Sequence, residues 1–134
     1  MTSRASGTFI VTVTPQAAEP DIGDPSVARM SLYKKFEGDL EAIALGQMLA
    51  TRAPVAGSAA YVALDRVSGI LHGRSGSFSL QHSGVMNRGA AQLTISVVPD
   101  SATGELTGLS GVLSIEIVAG QHFYQFEYSL PELD

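Results

Sequence analysis

GSAAYVALDRVSGILHGRSGSFSLQHSGVM, residues 57–86, decides the fold class. The run reads as two long strands folded back on each other at Ser68-Gly69. Glycine in a two-residue turn reaches positive φ without steric cost, which is what a hairpin needs. The spacing predicts strands over 57–67 and 70–83. These strands carry Asp65, His72, Arg74 and His82 among apolar and small residues. Such a mixture describes a barrel wall with a partly polar lumen.

Outward from this hairpin, a period of two recurs along the chain. Phe9, Val11 and Val13 alternate with Thr8, Thr12 and Thr14. Leu93, Ile95 and Val97 do the same, as do Leu113, Ile115 and Ile117. The last strand places His122, Tyr124, Phe126, Tyr128 and Leu130 on one face. Two further hairpins are expected, at Gly38-Asp39 (strands 29–37 and 40–51) and at Ala119-Gly120 (strands 111–118 and 121–130). Counting back from Ala119-Gly120 pairs Ile117 with His122, Ile115 with Tyr124 and Leu113 with Phe126, so turn and pattern agree. With strands near 7–14 and 91–98, the reading is a single all-β domain over 1–134, an eight-stranded antiparallel β-barrel. Closure removes the strand edges that invite aggregation.

Two stretches break the alternation. Residues 15–28, PQAAEPDIGDPSVA, hold three prolines and three acidic residues. They read as a loop, either a solvated connection or a lid. Residues 99–111, PDSATGELTGLSG, read as a compact turn in which Leu106 and Leu109 plug one end of the core.

Composition bounds the function. The net charge is −5 with eight basic residues, and phosphate backbones need clustered Lys and Arg, so nucleic acid is not an expected partner. No cysteine is present, which excludes disulfides, thiol catalysis and thiolate metal sites. The three histidines lack metal-site spacing, and no nucleophile elbow, P-loop or dinucleotide fingerprint occurs. No cofactor, metal or membrane is expected. Strand-like sequence starts by Gly7 without a signal-type segment, which predicts a cytoplasmic protein.

The candidate chemistry lies on one face of the central hairpin. Counting from Ser68-Gly69 sets Asp65 opposite His72, with Arg74 diagonal to Asp65, and Phe78, Leu80 and His82 follow on that face. The expectation is an inward wall of Tyr61, Asp65, Arg74, Phe78, Leu80, His82, Ile115, Tyr124 and Phe126. An Asp65–Arg74 ion pair there either orients a polar ligand, fixes register or sits at a wet barrel mouth. His82 is either an acid–base group or a hydrogen-bonded core residue, and His122 is expected near the rim. Tyr61, Tyr124 and Tyr128 either line a pocket or fill the barrel. Tyr61 is expected to cover Gly76 across the strands.

Several segments occur here in order: SGTFIVTVTPQ, FEGDLEA, GSAAYVALDRVSG, GRSGSFSLQHSGVM, VVPDSATGELTGLSG and HFYQFEYSLPE. Together they resemble an uncharacterised bacterial family, domain of unknown function 3224, over nearly the whole chain. The resemblance implies an eight-stranded barrel of the allene oxide cyclase type, which dirigent proteins share, and it implies no activity. Thr103–Gly111 looks like the TG-x-aromatic turn of those barrels. Ala60 and Asp65 depart mildly from the family's Gly and Glu, while Ile43 and Leu45 stand where polar residues are usual.

Three functions follow as expectations. The first is a barrel binding a small, largely apolar molecule at Tyr61, Asp65, Arg74, Phe78, His82 and Tyr124. The second is an isomerase or cyclase acting in the same cavity, with Asp65, Arg74 and His82 polarising the substrate. The third is a structural or interaction protein with a filled lumen. Both faces of the 29–51 hairpin are substantially apolar while a barrel wall buries only one, which, sharpened by Ile43 and Leu45, predicts a homodimer, or else cover of the patch by the 15–28 loop or a terminus. Counting from Gly38-Asp39 groups Ile43 and Leu45 with Met30, Leu32, Lys34 and Phe36.

Overall fold

The computed structural model describes residues 2–131. Its strands are β1 (Ser3–Pro15), β2 (Val27–Gly38), β3 (Leu40–Arg52), β4 (Ala59–Leu71), β5 (Arg74–Asn87), β6 (Ala90–Val97), β7 (Ser110–Val118) and β8 (Gln121–Ser129). One short 3-10 turn, Gly104–Leu106, precedes β7. Each strand pairs antiparallel with the next, and β8 returns to β1, closing an eight-stranded barrel. No helix among the described residues is long and apolar enough to cross a membrane.

The β7–β8 hairpin turns at Ala119-Gly120, with φ of 50° and 81°, and pairs Ile117 with His122 and Leu113 with Phe126 as expected. The central hairpin does not turn at Ser68-Gly69. It turns at His72-Gly73, where φ is 47° and 80°. Gly69 stays inside β4 for a different reason. A Cβ there would lie 2.6 Å from the Cβ of Ala42 on β3, so the glycine serves close strand approach. The displacement is an even number of residues, so the faces survive but the partners change. Asp65 faces Leu80 instead of His72, and Tyr61 covers Gly84 instead of Gly76. His72 moves into the turn, where its ring meets the Tyr128 hydroxyl. Arg74 becomes the first residue of β5, exposed at the barrel's end, so neither it nor the Asp65–Arg74 pair lies in the lumen.

The β2–β3 hairpin differs by one residue, and that inverts a face. Only Asp39 lies between the two strands, so Lys34 pairs with Ala44 and Phe36 with Ala42. Asp39 is held to β1, donating its amide to Ser6 O (3.1 Å) and accepting from Ser6 N through Oδ2 (2.9 Å). The Tyr124 hydroxyl, inside the barrel, accepts from Leu40 N and donates to Glu37 O, each at 2.9 Å. These contacts stabilise the odd-numbered turn. Met30, Leu32, Lys34 and Phe36 therefore face inward with Ala42, Ala44 and Met48, and Ile43, Leu45 and Leu49 face solvent with Tyr33.

The two halves of the lumen are unlike. At the end holding Ser3 and Ser129 the barrel is solid. Phe9 and Phe36 meet at 5.1 Å, Phe36 meets Tyr124 edge-on at 5.5 Å, and Phe78 stacks on Phe126 at 5.9 Å. Such pairs add about 0.5–1.5 kcal/mol each beyond area burial. Leu106 and Leu109 are fully buried and plug this end, as the sequence predicts. At the opposite end, inward-facing apolar residues remain open to solvent. The wall is also thin there, because β6 and β7 share a single register pair, Ser96 with Val112. Residues 16–26 form the loop between β1 and β2 at this mouth, and all of them are exposed.

Candidate functional site

Three charged or ionisable side chains sit at mid-height, on the boundary between the solid half and the open half. Lys34 comes from β2, Asp65 from β4 and His82 from β5. Each occupies an inward position of a strand whose other inward residues are apolar or small, so alternation forces it into the lumen. Their side chains are 8%, 0% and 4% exposed respectively. Asp65 Oδ2 accepts from Lys34 Nζ at 2.7 Å and from His82 Nε2 at 2.8 Å. Lys34 Nζ lies 3.5 Å from His82 Nε2. Asp65 Oδ1 is buried with no hydrogen-bond partner. It packs against Gly46 of β3, where a Cβ would come within 2.0 Å of it. Gly46 thus makes the space the carboxylate occupies.

Burial alone pushes the Asp65 carboxyl upward, but the His82 hydrogen bond and the Lys34 charge outweigh it and hold the group below its ordinary 3.8. Asp65 is therefore an anion at neutral pH. Burial first, and the Asp65 charge second, push the Tyr61 phenol up from 10.0, so it stays a neutral donor. Tyr61 stands four residues before Asp65 on the same face and covers Gly84, where a Cβ would lie 2.4 Å from the ring.

Toward the mouth, above this cluster, the lining is Val11, Met30, Met48, Tyr61 and Ile115, all half-buried. Met86, Leu93 and Ile117 at the rim are 43%, 44% and 62% exposed although they sit on inward positions. The arrangement is a cup with an apolar wall and an ionic floor. Among the described residues no group of His, Cys, Asp and Glu is suited to hold a metal ion.

Of the sequence-derived candidates, Tyr61, Asp65 and His82 come together in this cup. Phe78 and Tyr124 face inward but lie in the solid half, where the Tyr124 hydroxyl is occupied by the β2–β3 turn. Arg74 is outside the lumen. His122 is half-buried, its ring 5.1 Å from Phe9. Lys34 was missed. Its signal was present, since it interrupts an otherwise apolar inward row of Met30, Leu32 and Phe36.

A groove of about 1030 Å³ lies outside the wall, over β3, β4 and β5, floored by Leu45, Leu49, Val62 and Leu64. Those four side chains are exposed on the outer face of the wall, and the groove's lining also includes Gly46, together with Ala63, Asp65 and His82, whose side chains face the lumen.

Fold and site define a class: closed eight-stranded antiparallel barrels filled at one end and carrying an ionic cluster at mid-height. The family described as protein of unknown function (DUF3224) matches residues 5–128, and the chain belongs to it. The chain is similar to a crystal structure of a protein with unknown function from the same family, from Shewanella oneidensis MR-1. The two share 45% identity and a TM-score of 0.90, covering 98% of this chain and 100% of that one. No curated protein matches the chain.

Proposed function

We propose that this protein binds a small, largely apolar molecule in the open half of its barrel. One observation carries the reading: inward apolar side chains at the mouth stay exposed, while those of the other half are sealed. A barrel built only as a structural element gains by filling both halves. Three methionines, Met30, Met48 and Met86, line the mouth, and their flexible thioethers adapt to more than one shape. Mass spectrometry of small molecules released from natively purified protein is the direct test. A stoichiometric apolar compound supports the reading. An empty barrel that also leaves a neutral apolar fluorophore unbound would sink it.

The second reading is an isomerase or cyclase in the same cup. Asp65 and His82 at 2.8 Å favour it, because a carboxylate-held imidazole is an acid–base pair. Tyr61 and Lys34 would take the polarising role expected of Arg74. The proposal extends to a homodimer through the outer face of the 29–51 hairpin and to a cytoplasmic location, the latter tested by cell fractionation.

A further inference from the structure

The ionic floor restricts the chemistry of the ligand. This step rests on the cup as the binding site. A lysine ammonium has three hydrogens to donate. One goes to Asp65 Oδ2. His82 Nε2 is no acceptor for a second, because it spends its own hydrogen on the same carboxylate oxygen, which can only accept. Two ammonium hydrogens are thus left without a protein acceptor among the described residues. The side chain is 8% exposed, and the aromatic half below is sealed, so Lys34 is approached from the cup. A buried charged donor lacking acceptors is a strong demand for an oxygen atom.

Charge decides which oxygen. The Lys34 ammonium and the Asp65 carboxylate, 2.7 Å apart, cancel each other's charge. A carboxylate would therefore add an uncompensated negative charge to a buried site, and a cation would oppose Lys34. A hydroxyl would bring a hydrogen of its own. The free oxygen of the cluster, Asp65 Oδ1, is walled off against Gly46 and cannot take it. A carbonyl oxygen only accepts. We propose that the cup binds an uncharged apolar molecule bearing a carbonyl, of the ketone or ester class, whose oxygen accepts from the Lys34 ammonium. Met30 lies four residue steps along a tilted strand from Lys34, which gives the apolar body a depth of roughly 10 Å.

The test uses N-phenyl-1-naphthylamine, a neutral fluorophore, displaced at pH 8 by 2-octanone, 2-octanol, octanoate or 1-octene. The expected order puts 2-octanone first, at least about ten-fold tighter than 1-octene, the scale of one hydrogen bond to a charged group. The carbonyl stretch of bound 2-octanone should also move to lower wavenumber in the wild-type protein. In Lys34→Met with Asp65→Leu, the fluorophore should still bind and the preference for the ketone should vanish. Equal displacement by ketone and alkene, tighter binding of octanoate or 2-octanol, or a preference surviving in the double variant would each overturn the proposal. Should the double variant not fold, the competition order and the infrared shift of the wild type decide alone. A wild-type protein that does not bind the fluorophore instead removes the cup reading itself.

Discussion

At the scale of single residues, Asp65 couples stability to the site. Its carboxylate is held by two donors inside the barrel, so removing one donor strands charge in a low-dielectric interior. Lys34→Met should cost about 3–5 kcal/mol, and adding Asp65→Leu should recover most of it, read by urea denaturation. The pH dependence has a definite sign. The folded pKa lies below the ordinary 3.8, so this stabilisation is complete above that value and is lost as pH falls through the folded value. An acid titration of stability should show this loss below about pH 4 in wild type and not in the double variant. If both lose stability in parallel, another carboxylate is responsible. Gly46 makes a sharper prediction. A methyl there meets Asp65 Oδ1 at 2.0 Å and the Leu64 carbonyl at 2.5 Å, and backbone cannot step aside. Gly46→Ala should cost about 3 kcal/mol or more, the upper range for overpacking.

At the scale of elements, turns and the seam set different limits. Ala119 holds a φ of 50°, which a residue with a Cβ adopts at a cost. Ala119→Asn should stabilise the protein by roughly 0.5–1 kcal/mol, because asparagine tolerates that region and suits this hairpin turn. An unchanged or lower denaturation midpoint would show the turn to be under other constraints. The β6–β7 seam, with its single pair at Ser96 and Val112, leaves neighbouring backbone groups without a cross-strand partner. In hydrogen-exchange measurements, seam-facing amides of 91–94 and 114–118 should exchange orders of magnitude faster than those between β3 and β4. Those two strands are paired without a break from Leu40↔Leu71 to Arg52↔Ala59. Uniform protection around the barrel would mean the seam is closed in solution.

For the whole molecule, the outer wall bears on assembly. Ile43, Leu45, Leu49, Val62 and Leu64 are exposed together on β3 and β4. Residues 16–26 leave Leu45 62% exposed, so that loop does not cover the patch. A contiguous apolar patch of this kind commonly marks an interaction surface, and two-fold pairing is the simplest way for copies to bury it. Sedimentation at micromolar concentration should show a dimer. Ile43→Glu with Leu45→Lys should return it to monomer without moving the denaturation midpoint by more than about 0.5 kcal/mol, as outward positions allow. Wild-type protein that remains monomeric at high concentration excludes this interface.

The sequence by itself determined the class of the fold and the direction of most side chains. Period-two alternation fixes which residues share a face, and Ala119-Gly120 fixed both turn and register for β7–β8. It also marked Leu106 and Leu109 as a plug, and Tyr61, Asp65 and His82 as facing the lumen. What tertiary structure alone decided is which residues meet across strands. Gly69 read as a turn residue because positive φ and close packing both call for glycine, and only the presence of Ala42 on the next strand distinguishes them. The β2–β3 register depended on Asp39 bonding to Ser6 and on Tyr124 reaching in from β8, contacts made by residues 33 and 84 or more positions apart in the chain. That one-residue difference turned Ile43 and Leu45 outward and left Lys34 facing Asp65. The ionic floor of the cup is therefore a product of register, and register here is set by long-range contacts that local sequence cannot express.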